Sequence, residues 1–338
     1  MRSQPAWNLS RYTLAMGAAA ALLAGCGGSP PPLGEPGTML QSRSATKDAD
    51  RSGSWMLPEA KSEDLLYVSN VTQSEVYVLS YPMGKLVGTL TGFHTPVGEC
   101  VDAAGDVWIA NAFSPPEVIE YAHGSKTPTA TLSDAGGEPV GCAVDPTTGN
   151  LGVTNANGGL AVYQNAQGSP TMYMDPDIST YYYCAYDYAG NLFADGYPGV
   201  GIIVELPRGG SALETITLSK SDAVPISIQW DGSDLAIVDE RGAPFGAIPV
   251  EHVQVSGSEG TVVATTLLKS PGDRRPTSDA PQYWISHNRI VGPDRDRHGG
   301  HALTILLWSY SRGGAPINAI YKGHTDGLEG TVVSLAPH

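Results

Sequence analysis

The chain has 338 residues, 41% of them apolar, and its 41 Gly and 26 Pro point to one large, turn-rich domain. Its 19 Lys plus Arg against 34 Asp plus Glu give a formal net charge of −15. A surface of that sign repels phosphate backbones and excludes nucleic acid as an expected partner. Long apolar patterns at helical spacing are missing, which excludes a helical bundle.

Residues 1–25 read as an export signal: Arg2 and Arg11 give a positive start, and Thr13 to Leu23 form an apolar, alanine-rich run. That run is shorter than the ~20 residues a membrane-spanning helix needs, so it is expected to be removed on maturation. It ends in Leu23-Ala24-Gly25-Cys26, which resembles the lipobox of bacterial lipoproteins. The resemblance implies that Cys26 is lipidated and becomes the first residue of a protein held in the bacterial cell envelope, outside the cytoplasm. Gly27 follows Cys26; by resemblance to enterobacterial sorting, a residue other than Asp there favours the outer membrane. Residues 26–60, rich in Gly, Pro and Ser, read as a disordered tether. The folded domain is expected over 61–338.

From there the chain repeats. An apolar strand, a turn containing Gly and a second strand recur six times, with turn glycines at Gly84, Gly124, Gly168, Gly209, Gly260 and Gly313. A second motif interleaves with it: Pro, then Asp six residues later, a tight turn and another strand, as in Pro96 to Asp102, Pro139 to Asp145 and Pro225 to Asp231. Tyr181 to Asp187 and Pro281 to His287 keep the offset with one substitution each. The strand that follows ends in Asn or Asp every time: Asn70, Asn111, Asn155, Asp195, Asp239 and Asp294. Four antiparallel strands per repeat at ~40–50-residue periods predict an all-β, six-bladed β-propeller. The first repeat lacks its innermost strand, and Gly330 to Leu335 supplies one at the other end. The C-terminal strand is therefore expected to pair with the N-terminal blade and close the ring.

The run Gly141-Cys142-Ala143-Val144-Asp145 followed by Gly149-Asn150-Leu151-Gly152-Val153-Thr154-Asn155 resembles the NHL repeat. The chain looks like the broad NHL, YncE-like and gluconolactonase-like group of propellers and like uncharacterised bacterial lipoproteins within it. Oxygens from several blades could converge on a hard cation such as Ca²⁺, with Asn70, Glu99, Asn111, Asn155, Asp195, Asp239 and Asp294 as candidate ligands. Likeness to the gluconolactonases, which hold a divalent cation at the channel mouth, implies the same, but no motif matches the ligands one by one. The competing reading of the six strand-end residues is that Asn and Asp stop strands and bond nearby backbone amides. Glu99 and Glu138 lie near inner-strand starts and are the candidate carboxylates of a lactonase-type hydrolase.

Compact catalytic signatures are missing: no G-x-S-x-G elbow, no H-E-x-x-H helix and no C-x-x-C. Three loops exceed the repeat, at 240–248, 269–280 and 294–302, and are expected on one face of the propeller. They carry Arg274, Arg275, Arg295, Arg297, His298 and His301, basic residues that stand out on an acidic chain. These six are the candidate partner-binding residues, for a protein or an anionic envelope polymer. Asp294, Asp296, His298 and His301 also form a candidate transition-metal set. Of the cysteines after Cys26, Cys100, Cys142 and Cys184 are expected on innermost strands as buried thiols, since alternation points Cys100 differently from the others. The leading expectation is a monomeric binding or scaffold protein without catalytic activity or cofactor, anchored to a membrane by lipid. The alternative is the metal-dependent hydrolase.

Overall fold

The computed structural model describes residues 53–241, 247–269, 281–294, 304–322 and 327–337. The described chain is all-β, in antiparallel meanders that follow the repeat. It opens with β1 (Trp55–Met56), β2 (Leu65–Asn70), β3 (Glu75–Ser80) and β4 (Leu86–Leu90). Next come β5 (Pro96–Val101), β6 (Val107–Asn111), β7 (Glu117–Tyr121) and β8 (Pro128–Ser133). The third set is β9 (Pro139–Val144), β10 (Leu151–Asn155), β11 (Gly159–Tyr163) and β12 (Thr171–Tyr173). It is followed by β13 (Thr180–Tyr186), β14 (Leu192–Tyr197), β15 (Ile202–Leu206) and β16 (Glu214–Leu218). Then come β17 (Pro225–Trp230), β18 (Leu235–Asp239), β19 (Ala247–Ser256) and β20 (Glu259–Lys269). The last are β21 (Trp284–Ser286), β22 (Arg289–Asp294), β23 (Thr304–Ser309), β24 (Asn318–Lys322) and β25 (Leu328–Ser334).

These strands form five hydrogen-bonded sheets rather than six separate ones. Two meanders, β13–β16 and β17–β20, are joined by a short parallel pairing of β16 with β20 at Thr217–Glu259 and Leu218–Gly260. The join follows from length. The β19–β20 hairpin is 10 and 11 residues per arm, and its tip extends to the edge of β16. Ala247 and Ile248, expected in a loop, belong to β19. The C-terminal strand β25 pairs antiparallel with β2, from Leu65–Ser334 to Asn70–Leu328. Trp55 to Ala60, expected within the tether, instead contribute β1, which pairs with β4, and a 3-10 turn whose Ala60 is fully buried.

The core lies between the faces of neighbouring small sheets, a propeller-like arrangement. Tyr67 and Val332 meet Ile109 and Ile119 in one seam, and Trp108 and Val118 meet Val153 and Tyr163 in the next. Ala143 and Leu160 meet Tyr186 and Leu192. Leu66 and Leu79 meet Val291 and Ile305. Tyr181, Tyr182 and Tyr183 are all buried and pack in the core.

Innermost strands approach to backbone contact, which only glycine permits. A Cβ on Gly98 would stand 2.4 Å from the Val140 carbonyl, and one on Gly141 would stand 2.8 Å from that of Tyr182. Side chains then tie these strands together. The Gln282 amide donates to the Glu99 carbonyl at 2.6 Å and accepts from its N–H at 2.9 Å. Gln229 makes the same two-way bond with Ile285. Thr154 donates to the Tyr182 carbonyl at 2.7 Å, Thr331 to that of Gln282 at 2.9 Å, and Ser69 to that of Val97.

The cysteine expectation is corrected. Cys100 and Cys142 form a disulfide with Cα atoms 5.5 Å apart, while Cys184 is a free, buried thiol. Along the repeat, Cys100 stands one position later than Cys142, so the two point to opposite faces of their own sheets. Facing opposite ways on neighbouring sheets is what brings them together across the shared seam. Cys26, Arg274, Arg275, Arg295, Arg297, His298 and His301 lie outside the described residues.

Candidate functional site

The strand-end Asn and Asp residues occupy equivalent places and are almost fully buried. Side-chain oxygens of Asn70, Asn111, Asn155, Asp195 and Asp239 receive backbone amides of their own repeat. Asn111 accepts from the N–H groups of His94 (2.7 Å) and Thr95 (3.2 Å), and Asn155 from Glu138 (3.2 Å). Asp195 accepts from Tyr183 (2.7 Å), and Asp239 from Val224 (2.7 Å) and Arg241 (2.9 Å). Asn70 accepts from Gln73 at 2.8 Å. In four of the six, the bond pins the segment entering the innermost strand, or that strand itself, to the second strand. Asp294 ends β22 and is buried in the same way.

Charge separates the members. Burial raises the Asp195 carboxyl to about 7, against the lowering effect of the Tyr183 N–H. Asp239 is instead matched by Lys220, whose ammonium lies 2.8 Å from Asp239 and also pairs with Glu251 on β19. Glu99 takes the repeat position of Cys142 and Cys184, fully buried and with neither carboxyl oxygen hydrogen-bonded. Burial pushes it well above the ordinary carboxylate range. Its charge is one of the influences that raise Tyr67 on the preceding sheet.

Among the described residues, two groups of side chains do bring three potential ligand atoms within 4.8 Å of one another: Asp231 with Asp234 and His252, and Asp102 with Asp106 and Glu120. None of the seven candidate cation ligands named from the sequence belongs to either group. The first is braced by Tyr310, whose hydroxyl donates to Asp231 at 2.7 Å and whose ring stacks on His252 at 5.1 Å.

A cavity of about 470 Å³ opens beside β17, between the two meanders that β16 and β20 join. One wall comes from β13–β16 and its turns: Asp187, Asn191, Glu205 and Glu214. The other comes from Trp230, Leu235, Val253 and the β19–β20 turn at Gly257. Gly257 holds φ +59°, a left-handed turn conformation that L side chains rarely adopt. Glu205 and Glu214 are direct cross-strand partners. Burial raises the Glu205 carboxyl, and the charges of Asp187 and Glu214 add to the rise. Tyr188, exposed beside the cavity wall, meets Trp230 edge-on at 6.1 Å.

The spacing of the turn motif is what gathers this wall: Asp187 and Ser233 sit on equivalent turns of successive repeats. Sequence reasoning passed over the cavity because its residues come from two repeats. The legible signal is the Glu205–Glu214 pair, which the hairpin around Gly209 places face to face.

Neither a family model nor a curated protein matches this chain. Solved structures do. A chain of the nidogen/laminin complex aligns at 12% identity over 81% of this chain and 100% of that one, with TM-score 0.61. A protein of unknown function from Bacteroides caccae aligns at 12% identity over 81% and 99%, with TM-score 0.52. At this identity the likeness is one of fold, and with the sheet arrangement it supports a β-propeller.

Proposed function

We propose that the chain is an exported binding or scaffold propeller, lipid-anchored through Cys26 in the bacterial cell envelope. In this reading residues 26–52 are the tether, six four-stranded blades follow, and the β2–β25 pairing closes the ring. It resembles the NHL and YncE-like propellers, and it holds an envelope protein or polymer through the loops bearing Arg274, Arg275, Arg295, Arg297, His298 and His301. One observation carries the choice of binding over metal-dependent hydrolysis. Hydrogen bonds commit an oxygen of each of Asn70, Asn111, Asn155, Asp195 and Asp239 to backbone amides of its own repeat, so those oxygens serve the fold.

The test uses the full, lipidated chain in its own envelope. Crosslinking should trap one dominant species, and replacing Arg274, Arg275, Arg295 and Arg297 together by Glu should abolish that adduct while export continues. An unchanged adduct in the quadruple variant rejects those loops as the binding surface.

A further inference from the structure

We infer that the cavity between the β13–β16 and β17–β20 meanders binds a small organic cation, its charge shared by Glu205, Glu214 and the Trp230 indole and its apolar body against Phe193, Leu235 and Val253. The wall holds three carboxylates, Asp187, Glu205 and Glu214, and no Lys, Arg or His. The Asp187 carboxylate is committed to its own turn, accepting from the N–H groups of Ala189 and Asn191 and from the Asn191 side chain. Glu205 and Glu214, in contrast, make no ion pair or side-chain hydrogen bond among the described residues. They nevertheless face each other directly across two strands. Like charges so placed destabilise a sheet, and a cation between them reverses the sign of that term.

The rest of the wall decides what kind of cation. Calcium takes six to eight oxygens at 2.3–2.6 Å, but Asp187, Glu205 and Glu214 do not bring their ligand atoms within 4.8 Å of one another. Phe193, Leu235, Val253 and Val255 supply apolar contact, and Trp230 supplies an indole. Aromatic faces attract ammonium and guanidinium groups, tryptophan most of all. A volume of about 470 Å³ suits a molecule rather than a bare ion. An aliphatic amine or guanidinium meets all three requirements: charge for the glutamates, an alkyl or ring body for the apolar wall, and a cationic head for the indole.

This site goes beyond the envelope-partner reading and uses none of its loop residues, so the two fail separately. The probe is butylammonium, titrated calorimetrically into the full chain in non-ionic detergent, with butanol and calcium chloride as controls. We expect saturable one-site binding with a dissociation constant on the order of 1–10 mM, as befits so small a ligand. Tryptophan fluorescence should change with it in the native chain and not in Trp230→Phe. The Glu205→Gln/Glu214→Gln variant should bind at least about tenfold more weakly, the equivalent of one lost charge contact. Its melting temperature should be unchanged or higher, which shows that it is folded. Equal binding of butanol, undiminished binding by the double variant, calcium binding at these glutamates in place of the amine, or no saturation by about 100 mM (far weaker than a millimolar fragment) would each overturn the inference.

Discussion

Asp195 offers a clean perturbation because its repeat equivalents include Asn111 and Asn155, so the fold already accepts an amide there. Asp195 is fully buried, one oxygen receives the Tyr183 N–H, and the other has no hydrogen-bond partner. Its carboxyl is raised to about 7. A raised folded-state value means that the native protein holds a proton the unfolded chain has released. Stability from this group is therefore complete below about pH 4 and is lost as pH climbs to about 7. Three pH units at about 1.4 kcal/mol each amount to about 4 kcal/mol. Asp195→Asn keeps the oxygen that accepts from Tyr183 and removes the titration. Urea denaturation of both proteins at pH 4, 5.5 and 7 should show curves that nearly coincide at pH 4. The variant should then gain progressively, up to about 4 kcal/mol at pH 7. A stability difference that does not change with pH would refute the reasoning, whatever its size.

Glu99→Gln should behave in the same direction, since burial raises that carboxyl too; its gain over the native chain should grow as pH rises above about 4, at about 1.4 kcal/mol per unit. Lys220→Met should do the opposite, leaving Asp239 and Glu251 buried without a counter-charge. A loss of about 3 kcal/mol in urea denaturation at pH 7 is expected. Opening the Cys100–Cys142 bond frees a loop of 42 residues' separation, and Cys100→Ala/Cys142→Ala should cost ~4 kcal/mol by the chain-entropy relation. Thiol labelling of the denatured native protein should leave Cys100 and Cys142 unmodified until reductant is added.

Much of the fold was written in period and punctuation. The glycine turns and the Pro-to-Asp offset located the meanders, except that Gly260 lies within β20 and Gly257 makes the turn, and the surplus strand at Gly330 to Leu335 anticipated the pairing of β25 with β2. The β16–β20 contact was not legible, because a parallel pairing between repeats depends on how far a hairpin reaches and leaves no alternation of its own. The disulfide escaped for a geometric reason. Opposite side-chain directions separate two residues on one sheet but join them across a seam. At the strand ends the sequence offered two readings, cation ligand or turn acceptor, and amides at 2.7–3.2 Å support the second. Glu99 could be named from its place but not its burial, since its backbone is bonded by Gln282, 183 residues further along the chain.

Bound metal is the most direct measure of the choice between binding and hydrolysis. The full chain, purified without chelator, should be analysed for divalent cations and melted with Ca²⁺ and with EDTA. The expected result is no stoichiometric cation and the same melting temperature in both. One tightly held cation per chain, with a clear fall in melting temperature on chelation and its loss in Asn111→Ala or Asn155→Ala, would contradict the reading and restore the hydrolase.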